Sequence, residues 1–389
     1  MEEPMSRLTP DLIVEILGRV PYKSLCICKR VCPAWRDLIA DPANRKKVVQ
    51  SLAGFFYHTT DGATADSAER RGHAVNYADL SASPWSHIPP THPRLPLPPD
   101  CADRFFSVED SRDGLFLSRI RTGAPAGNFR YMVSNPATSE YTLLPHSGYD
   151  GRRCASYLGF DSIVSTEEFH VFEGVRIYSS KTGAWVAMKP QWHIKVSLCA
   201  FQPGVFRKGC LHLLMGMSGI AIVDAEGLKW TIIRPPTPEN SSFSGFIGKS
   251  AGQLFYIDAG GLEGSGTNAF STVSVYVPGV DIYPRDVIHL DGKSVHWKLL
   301  HKLSNVVAPK KMFQLGFDLE VIGVHPHSNM IFFIAHWSNE LIAYDLDHHE
   351  STVVYHIEPN YKKFRPFFPY VPLLFRLPLD GAIRLATPN

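Results

Sequence analysis

One unit recurs along most of this chain: a strand, a polar turn, and a second strand with an aromatic residue near its start. It reads NYADLSASPWSHIP (76–89), YMVSNPATSEYTLLP (131–145), VRIYSSKTGAWVAM (175–188), IAIVDAEGLKWTII (220–233), VSVYVPG with HWKLLHKL (273–303) and LIAYDLDHHESTVVYHI (341–357). The aromatics are Trp85, Tyr141, Trp185, Trp230 and Trp297, and the last unit has Val353 instead. Tyr141, Trp185 and Trp230 are spaced by roughly 45 residues, the length of a four-stranded propeller blade, and the wider gaps imply loop insertions. Two more strand-like runs precede each hairpin from the second onward, for example FFSVEDS with GLFLSRI, and SLCAFQP with CLHLLMG. The first hairpin has only AGFFYHT (53–59) before it, and the C-terminus offers a spare apolar run, YVPLLFRL (370–377). An open ring would leave two unpaired edges, so the chain ends are expected to pair. The expected fold is a large all-β domain, a six-bladed β-propeller, with a β-sandwich or paired barrels as the alternative. Pro372 donates no ladder bond, so the pairing with 53–59 is expected to begin at or after Leu373.

The first forty residues have a different texture. Thr9-Pro10-Asp11 reads as a helix start: hydroxyl N-cap, Pro in the first turn, then an acid. Leu12, Ile13, Ile16, Leu17 and Val20 follow at helical spacing. Gly18 and Pro21 end that helix, a second runs roughly from Tyr22 to Arg30, and Pro33 opens a third. Three short helices carry more apolar side chain than they can hide among themselves. Helical periodicity fades after Lys47, which places a boundary near Val49 and divides the chain into 1–48 and 49–389.

This stretch resembles an F-box. The residues that carry the resemblance are Leu8, Glu15-Ile16-Leu17, Val20-Pro21 and Val31-Cys32-Pro33-Ala34-Trp35-Arg36-Asp37-Leu38-Ile39. Two positions depart from the pattern: Thr9 stands at the usual Pro, and Pro33 at the usual Lys. The resemblance implies docking on a Skp-type adaptor, and through it on a cullin ubiquitin ligase. It implies an adaptor-binding face built from Leu8, Pro10, Leu12, Ile13, Ile16, Leu17, Pro21, Leu25, Val31 and Trp35. Residues 50–380 in turn resemble the F-box-associated domain common in plant F-box proteins. That likeness rests on Asn135-Pro136-Ala137-Thr138, Gly159-Phe160-Asp161, Tyr178 to Trp185, Gly209-Cys210-Leu211-His212, Val324-His325-Pro326 and Tyr370-Val371-Pro372-Leu373. It implies a domain that captures a protein substrate, without saying which residues or which target.

Composition narrows the function further. A net charge of +2 in 389 residues makes no electrostatic case for nucleic acid or an anionic membrane. No apolar run is long enough for a membrane span, and Met-Glu-Glu-Pro does not open a secretory signal. Seven cysteines, an odd number, fit a reducing compartment: cytoplasm, nucleus or both.

No cofactor, metal or catalytic residue is expected. Cys26, Cys28 and Cys32 lack a nearby fourth ligand, so packing is their expected role. His325, His327, His348 and His349 fall at turns expected to lie at opposite blade edges, too far apart for a shared metal. No Gly-x-Ser-x-Gly elbow occurs, and Gly260, Gly261, Gly264 and Gly266 read as a flexible insertion. The reading is therefore a non-catalytic receptor subunit; the alternative is a propeller enzyme or scaffold with a helical cap, outside ubiquitination.

Overall fold

The computed structural model describes residues 8–20, 22–44, 47–48, 51–60, 74–80, 93–99, 106–121, 129–148, 155–187 except 163 and 166, 204–236 except 216–218, 245–263, 270–279, 295–304, 319–375 except 364, and 383–384. Three helices come first: α1 (Pro10–Gly18), α2 (Tyr22–Val31) and α3 (Pro33–Ala40). Thr9 occupies the N-cap of α1 as expected, but its side chain makes no capping bond; Pro10 at the first position and Asp11 in the first turn do the work. Cys32 Sγ accepts the Trp35 amide at the start of α3, 3.5 Å away, so this thiol is a helix cap. Gly18 ends α1 against the Lys47 carbonyl, which a Cβ there would meet at 2.3 Å.

The rest is a six-bladed β-propeller. Blade 2 contains β3 (Phe106–Arg112), β4 (Leu115–Arg121), β5 (Phe129–Asn135) and β6 (Glu140–Leu143); a short β24 (Ile383–Arg384) adds to its outer edge. Blade 3 is β7 (Ser156–Gly159), β8 (His170–Glu173), β9 (Arg176–Ser179) and β10 (Ala184–Ala187). Blade 4 is β11 (Val205–Arg207), β12 (Cys210–Leu214), β13 (Ile220–Asp224) and β14 (Trp230–Ile233). Blade 5 is β15 (Gly245–Ser250), β16 (Gln253–Glu263), β17 (Phe270–Pro278) and β18 (Trp297–Ser304). Blade 6 is β19 (Leu319–Val324), β20 (Met330–Ala335), β21 (Glu340–Asp345) and β22 (Glu350–His356). These five are antiparallel meanders, and in blades 2, 4 and 5 the first two strands are joined by two-residue turns with positive φ at both residues: Asp113-Gly114, Lys208-Gly209 and Ala251-Gly252.

Blade 1 is composite: β2 (Ala74–Asp79), β1 (Gly54–Thr59) and, innermost, β23 (Phe368–Tyr370). The pairing of the two chain ends is Gly54 with Tyr370, Phe55 with Pro369 and Phe56 with Phe368. It therefore precedes Pro372 rather than following Leu373, and the stretch 371–375 is not strand. A proline does lie in this strand, Pro369; β23 is an edge with one neighbour, so a missing amide is tolerated there. Tyr370 fixes the join by packing edge-on to Phe56 at 5.6 Å and against Phe116 at 6.0 Å.

Three local expectations change. The inner strand of blade 4 is Val205–Arg207, whereas SLCAFQP lies outside the described residues. Gly260 and Gly261 belong to β16, at a register shift between Asp258 and Gly261, where small residues suit a bulge; Gly264 and Gly266 lie outside the described residues. The turns bearing His325 and His348 are at the same end of blade 6, and Asn329 Nδ2 donates to Asp347 Oδ1 across them at 3.0 Å. A four-stranded meander places its first and third turns at one end.

The recurring aromatic has a structural reason. Trp185 Nε1 donates to the Pro145 carbonyl (2.8 Å), and Trp297 Nε1 to the Arg234 carbonyl (2.9 Å). Each indole begins the outer strand of one blade and bonds the chain leaving the outer strand of the blade before it. Trp230 bonds within its own blade, to the Gly227 carbonyl, and Trp85 lies outside the described residues.

Candidate interaction surfaces

The helical unit has a small core of Val14, Leu17, Leu25, Ile39 and Val48, with Ile13, Cys28, Trp35 and Leu38 packed around it. Helical spacing then divides α1 into two faces. Val14 and Leu17 point inward, while Leu12 (52% exposed) and Ile16 (49%) lie one turn apart on the outer face. On α2, Ile27 (50%) and Val31 (62%) repeat the arrangement. Four exposed aliphatic side chains, two on α1 and two on α2, are apolar area that water penalises and a partner would relieve.

The ten residues of the expected face therefore separate. Leu12, Ile16 and Val31 are exposed apolar residues, and Pro10 is exposed at the start of α1. Leu8, Ile13 and Trp35 are half-buried. Leu17 and Leu25 are core residues that shape the face from beneath. Pro21 lies outside the described residues. Ile27 was absent from the expected set; its spacing of four from Val31 was the available signal.

The second surface is the central channel. Inner strands of all six blades line a cavity of about 170 Å³. Its walls differ. The blade 2 side is charged: Arg112 faces Asp110 (3.1 Å), and Arg119 faces Glu109 (3.1 Å). The side formed by blades 5, 6 and 1 carries Phe246, Ile322, Val324 and Phe367. Lys249 crosses toward blades 2 and 3, with its Nζ 3.7 Å from Asp113 and 3.5 Å from Asp161. Burial pushes the Asp110 carboxyl up, against the Arg112 charge and the Leu158 and Ser111 amides, which hold it down. The buried imidazole of His212 is lowered to about 4, mainly by desolvation, with Nδ1 3.2 Å from the Val205 carbonyl.

The turn histidines are structural. His325 Nδ1 accepts the amides of Ser328 (3.0 Å) and His327 (3.2 Å), so Nε2 carries the hydrogen and donates to Ser51 Oγ at 2.9 Å. Burial lowers this imidazole to about 4, and the neighbouring His327 adds to the shift. Exposed His348 is raised by its bond to Asp345. Among the described residues no group of three or more His, Cys, Asp or Glu is placed to hold a metal ion, and no helix is long and apolar enough to cross a membrane.

Residues 5–47 match the F-box domain family. The chain is 24% identical to an F-box protein of Arabidopsis thaliana over 299 residues, covering 68% of this chain and 67% of that protein. A second, putative F-box protein of Arabidopsis thaliana is 26% identical over 160 residues, covering 40% of this chain and 38% of that one. Among solved structures, a chain of a nidogen/laminin complex aligns over 83% of this chain and 99% of its own length, at 11% identity and a TM-score of 0.43. The Cps50 (Swd1) β-propeller domain of Myceliophteria thermophila aligns over 64% and 84%, at 8% identity and a TM-score of 0.30. The chain thus carries an N-terminal F-box domain followed by a six-bladed propeller, and resembles F-box proteins of Arabidopsis beyond the F-box itself.

Proposed function

We propose that this protein is the substrate-recognition subunit of a Skp-cullin-F-box type E3 ubiquitin ligase. The observation that carries the reading is the exposed apolar pair on each of two F-box helices, Leu12 with Ile16 and Ile27 with Val31. F-box domains bind Skp-type adaptors, and an apolar face of this kind gains by burial in such a complex. The protein itself performs no bond chemistry in this scheme. It holds a target protein near the ubiquitin-carrying enzyme and so raises its effective concentration. The propeller is the target-binding part. The F-box lies against the end of the ring that carries the β3–β4 and β5–β6 turns, which leaves the opposite end to the target. We place the protein in the cytoplasm, the nucleus or both, where thiols such as those of Cys28, Cys32 and Cys210 stay reduced.

The test is co-purification of the full chain with a Skp-type adaptor. Wild type should form a stoichiometric complex, and Ile16→Asp with Val31→Asp should abolish it while the circular-dichroism spectrum is unchanged. A folded wild-type chain that leaves the adaptor unbound would exclude this function.

A further inference from the structure

The segment Val371–Phe375 follows β23 across the end of the ring nearest the helices. Val371 packs on the core of blades 6 and 1, and from Leu373 to Phe375 the side chains alternate between two other hydrophobic cores. Leu373 and Phe375 belong to the core between blades 2 and 3, with Leu115, Leu117, Tyr131 and Leu158. Leu374 belongs to the helical core, with Val14, Leu17, Leu25 and Ile39. An extended backbone sends successive side chains to opposite sides, so three residues can join two packed bodies.

The propeller holds this segment by its backbone. Asn135, at the end of β5 and fully buried, donates from Nδ2 to the carbonyls of Leu373 (2.9 Å) and Phe375 (2.8 Å). Its Oδ1 accepts the Ala137 amide at 3.0 Å, so every polar atom of the side chain is used. Ala137 itself packs on the helical core. Gly114, at φ +89°, admits the segment from the other side: a Cβ there would lie 2.4 Å from the Val371 carbonyl and 2.6 Å from Leu373 Cβ. The helical core is therefore not completed by residues 1–48; it takes a leucine from residue 374 and an alanine from blade 2.

We propose that Val371–Phe375 is a clamp that joins the F-box and the propeller into one rigid body. The orientation of the helical face relative to the channel is then set by the C-terminal segment and Asn135 together with the link before β1, whose Val48 joins the helical core and whose Leu52 joins a propeller core. In a receptor this device fixes where a captured target is held relative to the adaptor. The clamp stands on packing and hydrogen bonds alone, so it does not depend on the adaptor reading.

Hydrogen exchange on the full chain tests it. Asn135→Asp replaces two donors with acceptors facing two carbonyls, in a residue on the propeller. It should speed exchange in α1 and α3 by about tenfold or more, with blades 4 and 5 unchanged. Leu374→Ser should do the same from the opposite side, and Leu374→Met, which conserves volume, should keep the wild-type pattern. Wild-type exchange in the helices of both Asn135→Asp and Leu374→Ser would overturn the clamp. So would a rise spread equally over all blades. Adaptor binding measured on the wild-type chain keeps the two readings apart, because its loss would exclude the ligase function and leave the clamp untouched.

Discussion

The two parts of this molecule treat apolar side chains in opposite ways. The propeller buries its aliphatic and aromatic residues between blades, and leaves exposure to outer strands such as β10 and β22. The F-box is three short helices around five buried residues of its own, and keeps Leu12, Ile16, Ile27 and Val31 in water. A blade always has a neighbour, because the ring returns on itself. A three-helix unit has one wall, and here part of that wall belongs to the propeller through Leu374 and Ala137. The difference teaches that equal hydrophobicity in sequence carries two meanings: internal support in one region, and a surface held ready for a partner in the other.

The comparison is sharpest where the ring closes. Removing residues 368–389 deletes the inner strand of blade 1 and the clamp together. The whole propeller should then lose its cooperative melt, and an unchanged melting temperature would show that the ring is closed elsewhere. Tyr370→Ala, a single change inside the same join, is expected to cost about 3–5 kcal/mol in a denaturant titration.

Leu17→Arg and Ile16→Asp separate core from surface on one helix. Leu17 is 1% exposed, so an arginine there has to unfold the helical unit or drag it off the propeller, at about 4 kcal/mol or more. Ile16→Asp should change stability by about 0.5 kcal/mol or less, although it disrupts the partner surface. Equal losses of helicity in the two variants would show that Leu17 and Ile16 do not differ in their support of the helical core.

Acid should act on the propeller through His212. Its folded imidazole sits at about 4, against 6.5 for an ordinary histidine, so the unfolded chain binds the proton first. The stabilisation is fully present above pH 6.5 and is lost as pH falls toward 4, by about 3 kcal/mol for a group this buried. His325 acts in the same direction more weakly, being partly exposed, and Asp110 opposes both because burial raises its carboxyl. His212→Gln should therefore flatten the stability profile between pH 6.5 and 4, and a profile that stays parallel to wild type would remove His212 as the cause.

Much of this was legible in the residues themselves. Short apolar runs bounded by turn residues place most of the strands, as in the runs that become β3, β4, β19 and β20. Prolines and Gly18 place the ends of α1 and the start of α3. The F-box pattern identified the helical unit, yet it could not divide Leu12 and Ile16 from Leu17 and Leu25. All four satisfy the same helical periodicity, and burial depends on what lies opposite.

By itself, the sequence determined the elements, their repeat and the composite first blade, because strand period, turn residues and caps act over a few neighbouring positions. Only the tertiary structure decided that β23 pairs before Pro372, that Pro369 is tolerated on an edge, and that Leu374 completes a core begun at Val14. Those outcomes join residues hundreds of positions apart. They follow from which surfaces meet when the ring closes, and no local pattern records that.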